Sequence, residues 1–186
     1  MLIGVLGLQG DVAEHASALQ KLHADVRIVK KASQVRGLRG LIIPGGESTT
    51  IGKLMVKYGL PEAIEEHKPA IYGTCAGTIL LAKEIVGSEQ FSLNLLDIAV
   101  ERNAYGRQRE SFEADISIPA LGDKPFRGVF IRAPVIKRVG KNVEVLAEHE
   151  GRPVLVKQDK YLASTFHPEL TGDIRIHEYF ISMCQG

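Results

Sequence analysis

The sequence predicts an α/β domain in which a mostly parallel sheet is covered on both faces, three layers in all, and is extended by a β-rich second half. Three observations carry that expectation. The first half alternates short apolar runs with helix-period segments, as parallel strands joined by crossover helices do. From Leu95 onward the texture switches to period-two alternation, with Gly/Pro/Asp turn clusters between the runs. Between the two halves lies a strand, sharp turn and helix signature from Ala70 to Val86.

Leu2 to Leu8 is the first apolar run, and Asp11-x-x-Glu14 after it reads as a capping box. The helix it would start carries Val12, Ala16, Leu19 and Leu22 along one face. Val26 to Val29 is the second strand. The third, Leu41-Ile42-Ile43, stops at Pro44-Gly45-Gly46, where two glycines allow a tight turn and close backbone approach. Helical material follows from Thr50 to His67, interrupted at Gly59-Leu60-Pro61. Ala70-Ile71-Tyr72 then leads into Gly73-Thr74-Cys75-Ala76-Gly77 and a helix expected over Thr78 to Val86. In the second half, Leu96, Ile98 and Val100 alternate, as do Phe112, Ala114 and Ile116. Val129 to Ile131, Val143 to Ala147, Val154 to Val156 and Tyr161 to Phe166 continue a series expected to be antiparallel or mixed, and an amphipathic helix from Asp173 to Met183 closes it.

No repeat, low-complexity tract or linker divides the 186 residues, so one domain spanning 1–186 is expected. With 45% hydrophobic residues, a chain of this length can bury roughly 70% of its unfolded surface. Lys and Arg number 23 against 22 Asp and Glu, a net charge of +1 that argues against an electrostatic nucleic-acid or membrane binder. The two cysteines, Cys75 and Cys184, have neither disulfide-framework nor zinc-site spacing. The opening Met-Leu-Ile-Gly has no basic leader, and no apolar stretch reaches the roughly 18 residues of a membrane span. A cytoplasmic protein is expected.

The chemistry concentrates at three places. Gly73-x-Cys75-x-Gly77 between strand and helix has the form of a nucleophile elbow, where flanking glycines let the chain turn so sharply that the central side chain stands out. The helix N-terminus favours the thiolate, and its free N–H groups can hold an oxyanion. The bland reading is a small buried residue at a glycine-lined turn. Phe166-His167-Pro168-Glu169 supplies a base with an orienting carboxylate, because Pro168 favours extended backbone at His167 and residues two apart then point to one side. Together these residues make a Cys75-His167-Glu169 triad. The third place is Pro44-Gly45-Gly46-Glu47-Ser48-Thr49-Thr50, which in an open parallel sheet lies beyond the same strand ends as Cys75. Its glycine amides can complete an oxyanion hole, while a plain turn with a Glu/Ser/Thr cap is the competing reading and a phosphate loop lacks its Gly-Lys-Ser/Thr ending. Arg102 to Arg109 and Phe130-Ile131-Arg132-Ala133-Pro134 offer cations for the carboxylate of a small zwitterion, although clustered Arg is usually a solvated face. The other histidines, His15, His23, His67, His149 and His177, show no metal-ligand spacing and read as ordinary core or surface residues, so no metal is expected.

The elbow Gly-Thr-Cys-Ala-Gly, the loop Pro-Gly-Gly-Glu-Ser-Thr-Thr and the tail Thr-Phe-His-Pro-Glu-Leu-Thr resemble the class I glutamine amidotransferases, whose fold is flavodoxin-like. Within that family they resemble the glutaminase-subunit branch of pyridoxal 5'-phosphate synthases, as do Gly7-Leu8-Gln9-Gly10-Asp11, Arg102-Asn103-Ala104-Tyr105-Gly106-Arg107-Gln108 and Phe130 to Pro134. Many class I members read Gly-x-Cys-x-Gly-x-Gln at the elbow. Here Thr78-Ile79 follows Gly77 and that glutamine is missing, which favours this branch.

The resemblance covers essentially the whole chain and implies Cys75 as nucleophile, His167 as general base and acid, and Glu169 as its orienting residue. It also implies glutamine binding by Gly46, Glu47, Ser48, Arg102, Ile131 and Arg132, with oxyanion donors at Gly45, Gly46 and Ala76 and no cofactor. The implied partner is a (β/α)₈ barrel synthase subunit, PdxS, that uses the ammonia; the resemblance also implies a glutaminase that is weak alone and completed by docking, with the oxyanion loop at Gly45-Gly46 as the natural place for such control. Gln9 to Glu14 and Arg102 to Arg109 are the expected docking segments. Two alternatives stay open: the glutaminase of another ammonia-channelling synthase, distinguished by its acceptor subunit, and a binding module without catalysis, whose cysteine would not react with a glutamine-like electrophile.

Overall fold

The computed structural model describes residues 1–103 and 110–186. Five strands form the parallel part of the main sheet: β1 (Leu2–Leu6), β2 (Asp25–Val29), β3 (Gly40–Ile43), β4 (Ala70–Thr74) and β12 (Tyr161–Ser164). Two antiparallel strands, β10 (Glu144–His149) and β11 (Arg152–Gln158), extend it to the order β10-β11-β12-β4-β3-β1-β2. A smaller sheet joins β5 (Ala82–Ile85), β6 (Leu96–Glu101) and β9 (Val135–Val139), and β7 (Ser111–Ile116) pairs with β8 (Phe126–Ile131) as a two-stranded ribbon.

Alternation along the central strands sends side chains to both faces, and both are covered. Ile3, Val5, Ile42 and Tyr72 pack with Leu19 of α1 (Val12–Lys21), with Ile176 and Phe180 of α5 (Arg175–Met183), and with Phe126 and Phe130 of the ribbon. Leu41, Ile43 and Ile71 face the other way, against Ile51 and Met55 of α2 (Ser48–Lys57), Leu60 and Ile64 of α3 (Leu60–His67), and Leu80 of α4 (Ala76–Leu81). The central strands are therefore near-continuous apolar runs, as sequences buried on both faces are. Among the described residues no helix is long and apolar enough to cross a membrane.

Three local expectations are corrected. The helix after Gly77 ends at Leu81, and Ala82–Ile85 is instead strand β5, parallel to β6. Its backbone is recruited by the smaller sheet, with Leu95 N–H donating to Leu81 O at 3.0 Å and Val86 N–H to Val100 O at 2.9 Å. Strand β9 was not expected, because Lys137 and Arg138 hide its period although Val135 and Ile136 are buried. The capping box at Asp11 does not form: Asp11 is the N-cap of α1 but its carboxylate makes no capping hydrogen bond. It is turned toward His167 instead. The break at Gly59 is where expected, with φ +66 dividing α2 from α3.

The C-terminal ends of β1, β3, β4 and β12 converge, and the segments leaving them carry Asp11, Gly45-Gly46-Glu47, Cys75 and His167 respectively. An open parallel sheet binds its ligands at such an end.

Candidate active site

Cys75 sits between β4 and α4 with φ +48 and ψ −103, a conformation that costs an L-residue on the order of 1–3 kcal/mol. The surroundings explain how it persists. A Cβ on Gly77 would lie 2.1 Å from Ile43 O, and one on Gly73 would lie 2.5 Å from the Gly77 carbonyl. Cys75 N–H donates to Ser164 O at 2.8 Å, and the Thr78 hydroxyl donates to the same oxygen at 2.6 Å. The elbow is thus tied to β12, the strand that leads to His167. Cys75 is 6% exposed, and its thiol donates to Ile131 O at 3.7 Å.

His167 Nδ1 lies 2.7 Å from Glu169 Oε1 and 3.2 Å from Asp11 Oδ2. With Nδ1 engaged by carboxylates, Nε2 is the nitrogen left for the hydrogen bond to Cys75. Burial by itself lowers the proton affinity of this imidazole, but the hydrogen bonds and charges of Cys75 and Glu169 outweigh it and raise the pKa to about 10. Burial pushes the Glu169 carboxyl up, while its bond to His167 pulls the other way. The arrangement holds an imidazolium between a sulfur and a carboxylate, placed to donate a proton.

Cys75 and His167 line a cavity of about 680 Å³ together with Gln9, Asp11, Gly46, Glu47, Ser48, Ala76, Ile79, Arg102, Ile131 and Arg132, while Glu169 stays buried behind the imidazole. Every residue expected to bind glutamine therefore borders one space with Cys75. Glu47 is also the N-cap of α2: its carboxylate accepts from Thr50 N–H at 2.7 Å, Thr49 N–H at 3.1 Å and the Thr50 hydroxyl at 2.6 Å. The Thr50 hydroxyl above all holds the Glu47 pKa down to about 2. Arg102 is fixed by Gln90 Oε1 at 2.7 Å and Thr49 Oγ1 at 3.2 Å, with Glu47 at 3.5 Å, so its guanidinium is a positioned cation. Ser48 is buried and its hydroxyl donates to the same Gln90 oxygen at 3.3 Å.

One expected oxyanion donor is differently engaged. Gly45 N–H donates to Thr74 Oγ1 at 3.1 Å, so in this conformation it points into the protein, and Gly46 and Ala76 are the two of the three that border the cavity. Gly45 packs under the triad, since a Cβ there would lie 2.3 Å from His167 Cε1 and 3.3 Å from Cys75 Cβ. Of the Arg102 to Arg109 segment, 104–109 lie outside the described residues.

Residues 5–186 match the SNO glutamine amidotransferase family. The chain belongs to that family. A relative from Kosmotoga olearia, named pyridoxal 5'-phosphate synthase subunit PdxT, is 56% identical over 190 residues that cover 100% of this chain and 99% of its own length. A relative of the same name from Thermus thermophilus is 57% identical over 187 residues, covering 98% of this chain and 97% of its own. A solved structure described as a glutamine amidotransferase superimposes with a TM-score of 0.93 at 53% identity, covering 99% of both chains.

For a member of the SNO family, the residues missed by sequence reading are Asp11, Thr74 and Gln90. Asp11 was read as a cap, yet it leaves the C-terminal end of β1, and that position was the available signal for a site residue. Asp11, His167 and Glu169 offer ligand atoms within 4.8 Å of one another. The 2.7 Å Nδ1 to Oε1 contact is a hydrogen bond with a proton between the atoms, which is unlike a pair of ligands around a cation.

Proposed function

We propose that the chain is a glutaminase subunit that hydrolyses L-glutamine to glutamate and ammonia and delivers the ammonia to a synthase subunit making pyridoxal 5'-phosphate. The observation that carries this reading is the buried Cys75-His167-Glu169 constellation, whose Cys75 and His167 border a cavity that a fixed arginine also lines. The Cys75 thiolate attacks the glutamine δ-carbonyl, and the amides of Gly46 and Ala76 receive the developing oxyanion. The His167 imidazolium gives its proton to the departing nitrogen, which leaves as ammonia, and the now neutral imidazole draws a proton from water as that water attacks the glutamyl thioester. Glutamate leaves and the thiolate is restored. Arg102 and Arg132 hold the substrate carboxylate, with Glu47, Ser48 and Ile131 completing the pocket.

Ammonia released to bulk solvent at neutral pH becomes unreactive ammonium, so direct delivery is chemically favoured. The partner is read as the (β/α)₈ barrel subunit PdxS, which combines the ammonia with ribose 5-phosphate and glyceraldehyde 3-phosphate; the relatives' names, which are those of a pyridoxal 5'-phosphate synthase subunit, support a synthase partner. We also read residues 1–186 as a single, three-layer, flavodoxin-like glutaminase domain with a β-rich second half, acting in the cytoplasm.

Glutamate release from glutamine by the full chain, measured alone and with such a barrel subunit added, tests the reading. Activity that rises with the barrel and vanishes in Cys75→Ala is expected. Absence of glutamate release under both conditions would contradict it.

A further inference from the structure

Behind Glu169, on the side away from His167, lies a polar cluster that the reaction above does not use. His15 of α1 and His177 of α5 are both fully buried, 162 residues apart in the chain, with His15 Nδ1 2.9 Å from His177 Nε2. His15 Nε2 lies 3.1 Å from Thr74 Oγ1 and 3.5 Å from Glu169 Oε2. Glu169 Oε2 has no hydrogen-bond partner of its own, and neither has His177 Nδ1. Tyr72 presents its ring edge-on to both imidazoles, with centroids 6.5 Å from His15 and 6.3 Å from His177.

The network selects one tautomer. If His15 carried its proton on Nδ1, its Nε2 lone pair would face a carboxylate oxygen, and the orphaned His177 Nδ1 would be a buried N–H. With the proton on Nε2, His15 donates toward Thr74 and Glu169, its Nδ1 accepts from His177 Nε2–H, and the orphan is only a lone pair. Burial and the neighbouring His177 and His167 hold the His15 pKa well below its ordinary value, and burial lowers that of His177 to about 4, so both rings are neutral around pH 7.

We propose that His15 is a positioning residue for the glutaminase site, its Nε2–H facing the outer oxygen of Glu169 and the Thr74 hydroxyl at once. The inference rests on the glutaminase reading. Thr74 immediately precedes the nucleophile and accepts the Gly45 N–H at 3.1 Å, so one N–H group spans the carboxylate that orients His167 and the strand end that holds the Gly45 loop. His15 touches no reacting atom. It limits rotation of the Glu169 carboxylate, whose other oxygen is the 2.7 Å partner of His167. His177 in turn fixes the His15 tautomer.

The test uses the full chain with the barrel subunit present and three substitutions at one position. His15→Phe keeps the ring and removes the N–H. His15→Gln returns an amide N–H near the place of Nε2, whereas His15→Asn returns one near Nδ1, toward His177. The expected result is a kcat lowered roughly ten- to hundredfold in Phe and Asn, with the KM for glutamine within about twofold and Gln recovering most of kcat, because small misplacements of catalytic groups carry losses of that order. The rate of Cys75 alkylation by iodoacetamide is expected to fall in the same two variants and its pH profile to move to higher pH. Equal behaviour of Gln and Asn, whether both active or both impaired, would overturn the proposal even where Phe fails to fold. Wild-type glutamate release is read first: its absence contradicts the glutaminase reading, and the alkylation contrast between Gln and Asn then decides the role of His15 alone.

Discussion

Glu169 separates two histidine environments that are similar in burial and opposite in charge. On the Cys75 side, His167 is 4% exposed and its pKa is raised to about 10; on the far side, His177 is fully buried and its pKa is lowered to about 4. Burial pushes both downward. The difference is the partner: His167 lies between a thiol and two carboxylates, whereas the hydrogen-bonding partner of His177 is another neutral imidazole. A buried imidazole is thus made a proton carrier or a neutral strut by what its two nitrogens meet. The sheet topology sets this up, because β12 delivers His167 beside the β4 elbow while α1 and α5 bring the other pair behind it.

Removing the partner that makes His167 different has the largest consequence. Cys75→Ala should leave the fold and thermal unfolding temperature intact while reducing glutamate release to background, because the covalent path is gone. Glu169→Gln should follow with a loss of ~10²–10⁴ in kcat, the range of general acid–base catalysis, since His167 then loses both its orientation and the charge that favours its protonated form. A kcat within threefold of wild type would show that Asp11, 3.2 Å from the same nitrogen, can replace it.

Much of this contrast was legible in the sequence, but only on one side of Glu169. Cys75, His167 and Glu169 could be read because each stands next to a strand end marked by Gly or Pro, so local spacing and local geometry coincide. Parallel strands β1, β3 and β4 were legible for the same reason, as apolar runs marked at their ends by glycine. Ala82–Ile85 was not, since Lys83 and Glu84 suit a helix as well as a strand and only pairing with β6 decides. His15 and His177 carried no signal, because their contact depends on two helices packing over one sheet face. Asp11 was misread because a helix cap and a ligand-facing residue draw on the same side chains at the same strand end.

On the far side the effect is on stability. The lowered folded-state pKa of His177 means that the unfolded chain takes up protons first as pH falls. Stability is therefore full above about pH 6.5 and is lost as the pH falls from there through about 4, by about 3 kcal/mol in total from this residue. His167 has the opposite sign, contributing stability below about 6.5 that is lost as pH rises through about 10. Urea unfolding between pH 4 and 8 should show the acid slope in the wild type and a shallower one in His177→Phe; an unchanged slope would remove His177 as its source. The smallest effect is expected from Asp11→Asn. Loss of this second, half-exposed carboxylate should lower the pH at which His167 gives up its proton and change kcat by less than about tenfold, as read from the pH profile of glutamate release.

The contrast itself is most directly tested by NMR titration of ring-¹⁵N-labelled histidine in the full chain, with His167→Asn and His177→Phe used to assign the signals. The account predicts that His167 remains an imidazolium at pH 7 and deprotonates only toward pH 10, while His177 stays neutral down toward pH 4 and His15, held well below its ordinary pKa by burial, is likewise neutral at pH 7. A His167 that titrates near 6.5 and is neutral at pH 7 would contradict it.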